Sequence, residues 1–184
     1  PSYDGLRYAA AFGNLAYVVK ARVQLLRDLG AALSPFNAWL LLQGLETLGV
    51  RIERHVANAQ AVAEFLAAHS AVASVSYPGL AGDPAHERAR RYLPAGAGSI
   101  LTFRLHGDGN DAKSYIDRLK LFSLLANVGD AKSLVIHPAS TTHRQLAPDE
   151  RLRSNVDEST IRLSVGIEDR RDIIADLAQA FEAA

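Results

Sequence analysis

The chain has 184 residues, 48% of them hydrophobic and 22% charged, with twenty Lys and Arg balanced by twenty Asp and Glu. That length builds one good core, or one domain plus a piece of a second, and the composition is globular rather than disordered. Zero net charge provides no long-range field for nucleic acid or an anionic membrane, the lack of cysteine excludes disulfides and thiolate chemistry, and no apolar run approaches the roughly 20 residues that span a bilayer. Cytoplasm is the expected compartment. Methionine is absent throughout, position 1 included, so the sequence is expected to be a piece of a longer protein.

Residues 1–30 mix aromatic and polar positions around Gly5 and Gly13, then give a short helical pattern ending at Gly30, a plausible C′ residue. Ser34-Pro35 reads as an N-cap followed by proline at the first helical position. The apolar positions Leu41, Leu45, Leu48, Ile52, Val56, Ala59, Val62 and Leu66 then predict one long helix over about 35–68, bent at Gly44 or Gly49. A helix of some 30 residues is about 45 Å long, more than a small domain needs, so it is expected to join two domains. After His69 the pattern shifts to short strands and helices. A strand over VASVSY precedes Pro78-Gly79, a helix is capped by Asp83-Pro84, and SILTFRL alternates over 99–105. Gly107 and Gly109 lead into a helix over roughly 111–119, and LFSLLA follows. A short helix lies near 148–153, then the strand TIRLSVG and a terminal helix from about 170. This order predicts an α+β sandwich, an antiparallel or mixed sheet covered by helices and entered through the long helix.

Arg162 is the most informative residue. In TIRLSVG, Ile161, Leu163 and Val165 share one face, while Arg162 sits on the other with Ser164 and Gly166. A guanidinium among small neighbours has room for a planar carboxylate, which its fork matches in two hydrogen bonds. A structural salt bridge to a nearby Asp or Glu fits the same pattern. The segment 127–143 gathers Asn127, Gly129, Asp130, Ser133, His137, Thr141, Thr142 and His143 between apolar stretches. Binding residues concentrate on loops held by a rigid scaffold, and Asn127 and Gly129 suit a turn that presents an amide to an anion. A ligand-free tight turn is the alternative. His137 and His143 stand six apart with no acidic cluster, so no metal site is expected. Neither a GxSxG elbow nor a GxGxxG or GxxxxGK phosphate loop occurs.

The stretches RDLGAALSPFNAWLLLQGLETLGVRIERHVANA, LANVGDAKSLVIHPASTTH and IRLSVGIED together resemble the C-terminal portion of the Cys/Met-metabolism family of fold-type I pyridoxal-phosphate enzymes. Within it, SPFNAWLLLQGLETL and NVGDAKSLVIHPASTTH resemble the O-acetylhomoserine sulfhydrylase branch. Relatives that make or cleave cystathionine tend to carry Ser-Leu-Gly-Gly where this chain has Asn127-Val128-Gly129-Asp130. The resemblance implies that Arg162 pairs with the substrate α-carboxylate, that Asn127 offers its backbone amide to it, and that Thr142 hydrogen-bonds Arg162 and fixes its fork. Ser133 and His137 would support the loop. The implied reaction converts O-acetylhomoserine and sulfide to homocysteine and acetate through γ-elimination, with the hard chemistry supplied by pyridoxal phosphate. A cystathionine γ-synthase or lyase, a methionine γ-lyase-like enzyme, or a non-catalytic interaction domain are the other readings. The Schiff-base lysine of the family is not among Lys20, Lys113, Lys120 and Lys132 as judged by their sequence context. Residues 1–30 would thus be a remnant of the large cofactor-binding domain and 31–184 the small C-terminal domain. No catalytic residue, cofactor or activity is expected of this piece alone. The parent is expected to be a homo-oligomer, typically a tetramer, acting on a small amino-acid substrate.

Overall fold

The computed structural model describes residues 4–182, which fall into two compact units divided between Glu46 and Thr47. The first unit is helical: α1 (Tyr8–Phe12), a 3-10 turn (Gly13–Leu15), α2 (Ala16–Lys20), a π-helical stretch (Ala21–Leu26), α3 (Arg27–Leu29) and α4 (Pro35–Glu46). Gly30 adopts the left-handed conformation, φ 65°, and its N–H donates to Leu26 O at 2.8 Å, ending α3 where a side chain would be strained. Ser34 Oγ accepts from Asn37 N at 3.2 Å and caps α4. Tyr8 is the one buried side chain among the described residues of this unit, and Phe36, Trp39, Leu40, Leu41, Leu42 and Leu45 of α4 are exposed.

The second unit opens with α5 (Leu48–Ala68). The run expected as one helix bent at a glycine is therefore two, and the break falls at Thr47, φ −104° and ψ 6°, with Gly44 and Gly49 both helical. A β-branched residue loses χ1 freedom in a helix and yields the turn more readily than its neighbours. Then follow β1 (Val72–Ser76), α6 (His86–Tyr92), β2 (Ile100–Leu105), α7 (Gly109–Arg118), β3 (Ser123–Leu124), β4 (Leu134–Ile136), α8 (Pro148–Arg153), β5 (Thr160–Ser164) and α9 (Arg170–Glu182). Asp83 does not cap α6. Its carboxylate accepts from Ala85 N at 2.8 Å and makes a turn just ahead of the helix, whose N-cap is Ala85. Asp108 does cap α7, accepting from Asn110 N and Asp111 N while Asp111 returns a bond to Asp108 N.

The strands form one mixed sheet in the order β1-β2-β5-β4-β3, antiparallel except for the β3–β4 pair. Its alternation sends Leu101, Phe103 and Leu105 of β2, with Ile161, Leu163 and the following Val165, into a core completed by α5, α7 and α9 through Val62, Leu66, Tyr115, Ile173 and Leu177. Two polar groups are satisfied inside this layer. Tyr115 Oη donates to Leu177 O at 3.1 Å, its ionisation pushed up by burial. Asp176 of α9 accepts from the amides of Lys120, Leu121 and Phe122 at 2.9, 2.8 and 3.3 Å, which fixes the approach to β3.

The core face of α5 differs from the stripe expected of it. Ile52 is exposed and Val56 half-buried, whereas His55 and Asn58 are fully buried beside Ala59, Val62, Ala63 and Leu66. The reason is polar satisfaction. His55 Nδ1 lies 2.6 Å from Val165 O, and Asn58 Nδ2 donates to Gly166 O at 3.0 Å and Glu168 O at 2.9 Å. The chain leaving β5 has no sheet partner for these carbonyls, and the helix supplies the donors instead.

Candidate functional site

The face of the sheet opposite the helices carries Thr102 and Arg104 of β2 and Arg162 of β5. Arg162 sits directly across from Thr102 on one side and Ile136 on the other. Arg162 is half-buried, and its Nη2 donates to Asn127 O at 3.3 Å. Among the described residues it forms no ion pair. Arg104, on the same face, is neutralised: its Nε stands 3.0 Å from Asp157 Oδ2. Partial burial works against charge on Asp157. Hydrogen bonds from Thr160 and Ser159, together with the Arg104 guanidinium, nevertheless hold its carboxyl below the ordinary carboxylate value.

Asn127 opens a turn that its own side chain pins. Its Oδ1 accepts from Val128 N at 2.9 Å and its Nδ2 donates to Asp130 Oδ2 at 3.3 Å, while Asp130 Oδ1 accepts from Lys132 N at 3.1 Å. Gly129 has φ 72°, the conformation that reverses the chain there. The turn is left with the Asn127 N–H unpaired among the described residues. A free amide and a guanidinium without a counter-ion thus stand at one place on the sheet, a combination suited to a carboxylate.

The other sequence candidates divide between this place and its support. Ser133 is buried just before β4 and bonds Gly166 and Glu168. His137 is buried with both ring nitrogens engaged, Nε2 at 2.7 Å from Glu158 O and Nδ1 at 2.8 Å from Ser140 Oγ, contacts that tie the 137–140 turn to the chain before β5. Thr142 is exposed and its Oγ1 lies 2.9 Å from His143 Nδ1; no hydrogen bond joins it to Arg162. No group of three His, Asp or Glu suited to a metal ion occurs among the described residues, and none of their helices is long and apolar enough to cross a membrane. Sequence reasoning overlooked Glu168, His55 and Asn58, and took Gly166 only as a small neighbour of Arg162. The one local signal was a histidine and an asparagine within the apolar run of α5.

A lysine that forms a Schiff base needs a desolvated setting that lowers its proton affinity. Lys20, Lys113, Lys120 and Lys132 are all exposed among the described residues and have no such setting within them.

Fold and site together are an α+β unit whose mixed sheet carries Arg162 beside the Asn127 turn. The chain belongs to the Cys/Met metabolism PLP-dependent enzyme family, whose model matches residues 10–182. It is 51% identical to O-acetyl-L-homoserine sulfhydrylase of Leptospira meyeri, over 99% of this chain and 43% of that protein. To O-acetyl-L-homoserine sulfhydrylase 1 of Thermus thermophilus it is 52% identical, over 98% and 43%. A crystal structure of an O-acetylhomoserine (thiol)-lyase from Campylobacter jejuni, which contains a pyridoxyl-lysine phosphate, superposes with a TM-score of 0.89 at 47% identity, covering 99% of this chain and 43% of that one. The chain therefore spans less than half the length of the relatives it matches.

Proposed function

We propose that this chain is the substrate-carboxylate-binding part of an O-acetylhomoserine sulfhydrylase, in which Arg162 and the Asn127 amide hold the α-carboxylate of O-acetylhomoserine. The observation that carries the reading is Arg162 itself, half-buried against Asn127 O and without a carboxylate partner among the described residues, while Arg104 on the same face has one. The Asn127-Val128-Gly129-Asp130 turn and the sulfhydrylase names of the relatives support this branch over the cystathionine enzymes.

Pyridoxal phosphate supplies the electron sink in enzymes of this family, and its anchor is assigned to the part of the protein outside these residues. The work of this chain is positioning. A bidentate contact to Arg162 fixes the carboxylate plane, and with it the direction of the bonds at the substrate's α-carbon; the turn amide removes the remaining freedom. Residues 1–30 are assigned to the end of a large cofactor-binding domain and 31–184 to the small domain. A cytoplasmic homo-oligomer is the assembly in which we place it.

The test is an assay of the full-length protein that carries this chain, with O-acetylhomoserine and either sulfide or cysteine as the second substrate. Homocysteine and acetate formed with sulfide, at a kcat/KM well above that with cysteine, is the expected outcome. Preferential cystathionine formation would move the protein to the other branch of the family.

A further inference from the structure

Glu168 sits at the junction of the three segments that shape the site, and both its side chain and its backbone are engaged. Its Oε1 accepts from Ser133 N at 2.7 Å and its Oε2 from Ser133 Oγ at 2.9 Å; its carbonyl accepts from Asn58 Nδ2 at 2.9 Å. Ser133 Oγ in turn accepts from Gly166 N at 2.9 Å, and Ile167 N donates to Ala131 O at 3.0 Å. We propose that Glu168 is a positioning residue for the Arg162–Asn127 carboxylate site. It would act by clamping the end of the 127–133 turn to the chain that leaves β5, an inference that rests on the function proposed above.

The direction of the hydrogen bonds assigns the clamp to a carboxylate. Because the Ser133 hydroxyl already accepts from Gly166 N–H, its own hydrogen points at Glu168, and the Ser133 amide hydrogen points there too. Two donors from one residue require two adjacent acceptors and no donor, which an ionised carboxylate offers and an amide does not. The contact is also sterically closed. A Cβ on Gly166 would stand 2.5 Å from Ala131 O and Ser133 N and closer still to Glu168 Oε2, so only glycine lets the two segments meet.

The clamp reaches the site because the turn is short and held at both ends. Its far end is tied to the sheet where Ser123 N donates to Ser133 O at 3.0 Å and Leu125 N to Val135 O at 3.3 Å. Between these anchors lies Asn127, whose carbonyl receives Arg162. Behind the clamp, His55 and Asn58 of α5 fix the carbonyls of Val165, Gly166 and Glu168, so Glu168 is held by a rigid helix and transmits that rigidity to the turn. Loosening it leaves Arg162 in place on β5 and frees the turn that carries the Asn127 amide and carbonyl. The expected signature is a loss confined to the amino-acid substrate.

In the full-length enzyme, Glu168→Gln and Ser133→Ala should each raise KM for O-acetylhomoserine by about 5- to 50-fold while KM for sulfide and kcat stay within about two-fold, because sulfide has no carboxylate to orient. The double variant should be no worse than the stronger single one, since both break one unit. Arg162→Lys is run alongside as the reference. If it leaves the O-acetylhomoserine KM unchanged, the site itself is misassigned. If it raises that KM while Glu168→Gln and Ser133→Ala do not, the clamp alone is refuted. A lower melting temperature with unchanged KM in either clamp variant also refutes it. Should Glu168→Gln fail to fold, Ser133→Ala decides by the same two KM values.

Discussion

Two arginines share one face of the sheet, and their surroundings differ in a single respect. Arg104 on β2 meets the Asp157 carboxylate and donates to Asn155 O, and its charge is spent inside the molecule. Among the described residues Arg162, on the adjoining strand, hydrogen-bonds the carbonyl of Asn127 and forms no ion pair. Both sit in alternating apolar strands, LTFRL and TIRLS, and local pattern treats them alike. The difference comes from the loops. The segment before β5 places Asp157 beside Arg104, whereas the 127–133 turn gives Arg162 the Asn127 carbonyl and turns its own carboxylate, Asp130, to Asn127 Nδ2 and Lys132 N. A guanidinium kept without a counter-ion on a half-covered sheet face is costly to desolvate and is expected where an anion completes it.

The comparison is broken most severely by removing the unpaired member. A charge-assisted hydrogen bond contributes about 1.5–3 kcal/mol, so Arg162→Ala in the full-length enzyme should lower kcat/KM for O-acetylhomoserine roughly 10- to 200-fold. A smaller effect follows from making Arg162 resemble Arg104. Thr102 lies directly across from it, within the roughly 5 Å at which cross-strand side chains interact, and Thr102→Glu supplies an internal carboxylate. The substrate must then compete with that group. KM for O-acetylhomoserine should rise several-fold, and raised salt should recover part of the loss.

The smallest effect belongs to Arg104. Its pair with Asp157 is about one-third exposed, and such pairs contribute on the order of 0–1 kcal/mol. The folded state holds the Asp157 carboxyl below its unfolded value. The contribution is accordingly present at neutral pH and lost as pH falls through the folded value. Asp157→Asn should therefore lower the melting temperature by a degree or two at pH 7, with the gap to wild type closing in acid, and should leave KM for the amino-acid substrate untouched.

Much of the fold was legible because it rests on local chemistry. The period-two pattern of β2 and β5, the Ser34 and Gly30 signals and the terminal helix all appear where residue type and spacing place them. Arg162 and the turn at Asn127 were legible for the same reason, one from strand alternation and the other from its Asn-x-Gly-Asp composition. What stayed hidden depends on contacts far apart in the chain. Glu168 reads as an exposed acid after a strand, yet its partner Ser133 is 35 residues away. His55 and Asn58 break an apolar stripe and look like surface positions. The carbonyls that draw them into the core lie 108 to 110 residues downstream. Thr142 was placed beside Arg162 by resemblance, and its hydroxyl instead lies against His143.

The most direct test of the account is Arg162→Lys, because it keeps the positive charge and removes only the planar fork. KM for O-acetylhomoserine and the melting temperature should be measured on the same preparation of the full-length enzyme. A KM raised by about ten-fold or more with the melting temperature within a degree or two of wild type is the predicted result. A lowered melting temperature with KM near wild type would show that Arg162 is a structural residue like Arg104, and would contradict the assignment of the carboxylate site.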